Sequence, residues 1–161
     1  MIASTALAKV NVTDTYNMNR AYEEAGKDNY TGAIEFFDKE IKENPKNGYA
    51  YLGKAAILFE QKHYDEVITS INKGLRLLPK KDKARTAAAH LLLGQTLLAT
   101  TDTVGALSEM SRTISIEPKF SDAYEKRGQV YYELKQYDLS DGDYTKLVEL
   151  NRSSGVVPWQ G

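Results

Sequence analysis

Acid–base or metal chemistry in this chain would have to be built from two histidines and 22 acidic residues, because there is no cysteine. Disulfides, zinc–thiolate sites and thiol catalysis are therefore excluded, while reducing and oxidising compartments fit equally well. His63 stands in the polar run Tyr64, Asp65, Glu66. A metal or proton-transfer role would need further ligands converging on it, so it reads as a solvated turn residue. His90 falls on an apolar face, where two other segments place Tyr51 and Tyr124, and reads as a packed ring with one nitrogen satisfied. Gly53, Gly94 and Gly128 are isolated glycines in helical patterns, without a phosphate loop or nucleophile elbow around them, and mark points of close packing. Lys80, Lys81 and Lys83, with Arg76 and Arg85, follow a helix C-terminus, where cations complement the dipole; anion recognition is the functional alternative. The expectation is a protein with no catalytic, metal or cofactor residues.

Composition narrows the partner. With 21 basic and 22 acidic residues the formal charge is −1, so no field draws in a nucleic-acid backbone. The longest apolar stretch, Ala87 to Ala99, is interrupted by His90, Gly94 and Gln95 and falls short of a membrane span. Eleven tyrosines against four phenylalanines and one tryptophan put a hydroxyl on most large apolar side chains. Such residues belong at half-buried seams or in a groove, where the ring packs and the hydroxyl reaches water or a partner.

Residues with this pattern must be carried by repeated elements. Three of the four prolines close the similar strings IKENPKN, LRLLPKKD and ISIEPKFSD, at Pro45, Pro79 and Pro118, spaced 34 and 39 residues apart. That period belongs to solenoids of helix pairs. Twelve residues before each proline stand Ala33, Val67 and Ala106, with Ser140 matching in the last segment. Bulky residues follow at Phe37, Ile71, Met110 and Tyr144, then at Ile41, Leu75, Ile114 and Val148. This i, i+4, i+8 spacing predicts apolar stripes on helices near 31–44, 65–78, 103–117 and 138–151, each stopped by its proline where one is present. A second stripe precedes each, clearest in Tyr51, Ala55, Leu58 and in Tyr124, Gly128, Tyr131; Leu93, Gly94 and Leu97 keep the register in the third segment. Tyr30, Tyr64 and Tyr137 follow polar turns between paired helices, with Thr103 in the third.

These recurring positions resemble the tetratricopeptide repeat family over about residues 14–152. The resemblance implies an all-α, right-handed superhelix of about four helix-turn-helix units, near 14–47, 48–81, 82–120 and 121–152, with a concave groove. It also implies that the inner sides of the first helices present Tyr22, Tyr49, Leu52, Phe59, Leu91, Gln95, Leu98, Glu125, Gln129 and Tyr132 to a peptide or partner domain. Family members that clamp acidic chaperone tails use Lys, Asn and Arg where this chain has Met18, Tyr22, Gly53, Ala88 and Leu92, so that clamp is not expected.

Departures from the family pattern add expectations. Asn17 and Arg20 replace bulky residues in the first helix, which is then either a degenerate cap or offset to use Tyr16 and Tyr22. Five extra residues within KKDKARTAAA lengthen the third unit's first helix, with Asp82 as N-cap. Residues 1–13 read as a loose segment or a signal-peptide remnant, leaving cytoplasm and export both open. Residues 153–161 read as a tail or the opening of a truncated repeat, through Val157 and Trp159. The expected function is a protein-interaction scaffold, a fragment of a longer array. Alternatives are a structural arm that self-associates through its C-terminal end, or a helical hydrolase or carbohydrate-binding repeat.

Overall fold

Helix starts and stops are written locally. In the computed structural model, which describes residues 15–153, eight helices run α1 Tyr16–Gly26, α2 Tyr30–Glu43, α3 Gly48–Glu60, α4 Tyr64–Leu77, α5 Lys83–Ala99, α6 Thr103–Ile116, α7 Ser121–Glu133 and α8 Tyr137–Ser153. Side chains of Thr15, Asn29, Asn47, Asp82 and Asp102 cap the N-termini of α1, α2, α3, α5 and α6. The residues before Pro45, Pro79 and Pro118 leave the helical region, as proline demands of its predecessor, and end α2, α4 and α6. The four predicted second helices therefore stand within a residue or two of their expected bounds. The insertion lengthens α5 to 17 residues against 13 for α3 and α7, and Asp82 caps it, as expected.

Within each pair the chain reverses through a residue with positive φ: Asp28 (59°), Lys62 (62°), Thr101 (69°) and Lys135 (60°). Each donates to the carbonyl three residues back, and the following N–H reaches five back, as in Lys62 to Phe59 and His63 to Leu58. This is the Schellman closure, usually made by glycine. The sequence hides it because none of the four residues is Gly or Asn.

Seams form where the small residues stand. Ala33, Val67 and Ala106 are fully buried and Ser140 nearly so, its hydroxyl donating to the carbonyl of Gly128. One core cluster joins Phe37 of α2 to Ala50 and Ile57 of α3. A second joins Val67 and Ile71 of α4 to Ala89, Leu92 and Leu93 of α5, and a third joins Met110 of α6 to Ala123 and Val130 of α7. Each cluster thus straddles two hairpins, because a single amphipathic hairpin cannot cover its own apolar face. The result is an all-α right-handed superhelix of stacked hairpins.

In the first unit the helix keeps its register and fills it with polar side chains. Asn17 is buried and donates to Glu43 (2.8 Å), and Arg20 lies over the Phe36 ring. Tyr16 is 72% exposed and Tyr22 packs edge-on against Phe37, so the offset through Tyr16 is not adopted. The expectations for residues 1–13 and for the tail with Val157 and Trp159 lie outside the described residues, save Ser153, which ends α8.

Candidate functional site

The ten groove residues divide by what packing leaves of them. Leu52 is 1% exposed inside the central core cluster and Leu91 is buried beside Met110, so neither has surface for a ligand. Both lie where α3 and α5 are apolar almost all round and bury against neighbours on two sides. Tyr22, Tyr49, Phe59, Gln95 and Leu98 are half-buried, while Glu125, Gln129 and Tyr132 are exposed. Phe59 meets the Tyr64 ring at 5.9 Å, and the equivalent pair in the last unit, Tyr132 and Tyr137, meets at 5.5 Å. The first pair is tucked in, whereas Tyr132 is 62% exposed.

A polar cluster links the first three units. Tyr49 of α3 donates its hydroxyl to Asp82 (2.9 Å), the α5 cap, which also accepts from the Arg85 backbone and guanidinium (both 3.2 Å). That guanidinium lies 5.4 Å over the Tyr49 ring. Burial raises the Tyr49 phenol above its ordinary value, reinforced by the Asp82 carboxylate and opposed by Arg85. Burial likewise pushes the Tyr22 phenol up to about 12, again opposed by Arg85, so Tyr22, Tyr49 and Arg85 share one electrostatic neighbourhood. Arg85 was expected only as part of a basic cluster after α4. Lys80 and Lys83 of that cluster line a separate shallow recess with Thr86, Ser115 and Ile116.

Both histidines behave as packing chemistry suggests. His90 is 8% exposed with Nδ1 2.6 Å from the Glu109 carboxylate, while Tyr51 and Tyr124, in the matching places, donate to the carbonyls of Pro45 and Pro118. His63 is exposed beside Glu66 at 3.5 Å. No helix among the described residues is long and apolar enough to cross a membrane.

With this geometry established, the comparisons fit the same architecture. A tetratricopeptide repeat family profile matches residues 121–154. A MamA structure from Desulfovibrio magneticus superposes with a TM-score of 0.74 over 85% of this chain and 75% of its own, at 21% identity. The chain folds as a tetratricopeptide-repeat solenoid. The N-terminal domain of stress-induced protein-1 from C. elegans is similar too, with a TM-score of 0.64 at 19% identity over 81% of this chain and 98% of that one. So is YrrB, described as a tetratricopeptide protein with an unusual peptide-binding site, at 0.70 and 16% identity over 94% and 76%. A curated relative, the UDP-N-acetylglucosamine–peptide N-acetylglucosaminyltransferase of Giardia intestinalis, is 37% identical over 59 residues. That stretch is 37% of this chain and 4% of the transferase, so the likeness carries no enzymatic activity across.

Two polar networks tie the tetratricopeptide units together, and neither is announced by the sequence. Glu40 is fully buried and accepts from Thr15 (2.5 Å), Asn44 (3.0 Å) and Asn47 (2.8 Å), beside a recess of about 530 Å³ that Tyr49, Leu77 and Pro79 also line. Arg127 of α7 grips Asp143 of α8 through two hydrogen bonds (2.7 and 2.8 Å) and donates to Ser111 of α6 (2.9 Å). The Asp143 hydrogen bond holds the guanidinium proton more tightly than usual. The sequence signal was confined to Arg127, which stands just before Gly128 where the third unit has Leu93 before Gly94.

Proposed function

We propose that this chain is a non-catalytic scaffold that holds a peptide or partner domain against the first helices of its four units. The observation that carries this reading is the set of aromatic, apolar and polar side chains that hairpin stacking leaves at least partly uncovered along those helices: half-buried Tyr49, Phe59 and Leu98, then exposed Gln129 and Tyr132. Aromatic side chains flanked by polar ones are the usual anchors of peptide recognition, since they bury large area for little rotamer entropy. Panning random-peptide phage on the immobilised chain tests the reading. Phe59→Ala and Tyr132→Ala are each expected to weaken selected peptides about thirtyfold, the scale of an interface hot spot; selected peptides that bind both variants unchanged would sink it.

The self-associating arm draws support from α8, where Leu139 (52%), Val148 (42%) and Tyr144 (38%) stand exposed. Sedimentation separates the two readings: a monomer at all concentrations speaks against the arm.

A further inference from the structure

The recess of about 530 Å³ lies where the first two hairpins join, between the end of α2, the 44–47 turn, the start of α3 and the end of α4. Of the ten groove residues only Tyr49 lines it, so it is a surface apart from the inner sides of the first helices. Its walls are apolar where Pro45, Leu77 and Pro79 stand, and two carboxylates, Glu40 and Glu43, face the same space. Glu40 is fully buried at the back, and its partners among the described residues, Thr15, Asn44 and Asn47, are all neutral donors. A carboxylate taken out of water without a countercharge is costly, and its field is weakly screened by the low-dielectric wall around it. The repeat does not require it: the equivalent positions, seven residues after Val67 and Ala106, are Gly74 and Thr113. Glu43 is exposed, and its Oε2 accepts from Asn17 (2.8 Å), which fixes the carboxylate at the mouth. Lys46 is the one basic side chain among the described residues lining the recess, so two carboxylates face one ammonium and the space stays anionic.

We propose that this recess takes a lysine or arginine side chain of a partner protein. Its aliphatic stem lies along Pro45, Leu77 and Pro79, and its charged head sits against Glu43 with Glu40 behind, the division of an amphipathic cation between apolar wall and acidic end. The recess is thus a second contact, outside the groove, that selects partners by charge.

Random octapeptide pools, acetylated, amidated and uncharged except at a fixed central position, supply the test on the whole chain: that position is Lys, Arg, acetyl-lysine or Glu. The Lys pool, the Arg pool or both should be retained about tenfold or more above the acetyl-lysine pool, the scale of a charge-assisted contact, and the Glu pool no better than acetyl-lysine. Glu40→Gln should erase most of that preference, and Glu43→Gln should cut it about threefold, less because the mouth is solvated. Glu149→Gln, an exposed acidic residue of α8, should leave it unchanged. Equal retention of the Lys, Arg and acetyl-lysine pools overturns the proposal, as does a preference unchanged in Glu40→Gln or in Glu43→Gln. So does a preference lost in Phe59→Ala and Tyr132→Ala, which would put the cation in the groove instead. Each of these leaves the scaffold reading standing, whereas retention of no pool removes both. Thermal unfolding of each variant checks folding; if Glu40→Gln does not fold, the exposed Glu43→Gln decides alone.

Discussion

Tyr22 shows how packing sets the acid–base chemistry of a single side chain. Its ring lies 5.4 Å from that of Phe37, and burial holds its phenol at about 12. The unfolded chain releases this proton near pH 10, before the folded one does. The stability Tyr22 contributes is therefore intact below about pH 10 and is lost as pH rises through about 12, a loss of up to about 3 kcal/mol. Urea midpoints measured from pH 8 to 12 should fall more steeply for the wild type than for Tyr22→Phe, and parallel curves would contradict this account of the burial.

At the scale of elements, the hairpins depend on close approach. A Cβ added at Gly53 of α3 would come 2.5 Å from the Phe37 ring of α2, so one helix or the ring must shift. Gly53→Ala gains about 1 kcal/mol in helix propensity and loses about 1–3 kcal/mol to overpacking. The expected result is a net loss of stability, read as a lower denaturant midpoint with an unchanged slope, and shrinking it with Phe37→Leu in a double-mutant cycle would locate the clash. Thr101 shows the same economy from the other side: a β-branched residue holds a left-handed turn at φ 69° because two backbone hydrogen bonds close α5 around it.

For the whole molecule, stability is shared between neighbours and thins at the C-terminal end. Phe37, Ile71 and Met110 are fully buried at equivalent positions, each beneath the next hairpin, whereas Tyr144 is 38% exposed. Phe37→Ala should then cost about 3–5 kcal/mol and Tyr144→Ala about 1 kcal/mol. Hydrogen exchange should find α8 amides opening before those of α3 and α4, and uniform protection across the units would show instead that the array opens as one body.

Helix count, the ends of the second helices and stacking order were legible in the sequence, because each depends on spacing within a few turns: a stripe at i, i+4 and i+8, a small residue at the seam, a proline as the stop. Asn17 and Arg20 in the first helix were ambiguous on that basis, since local spacing cannot say whether a polar residue will find Glu43 or solvent. Tertiary structure alone decided which groove positions survive packing, burying Leu52 and Leu91 while leaving Tyr132 uncovered. It also brought together Tyr49 and Arg85, and Arg127 and Asp143, from different helices. Those outcomes depend on how closely successive hairpins approach and twist, a geometry set by the sum of all the seams and by no single one of them.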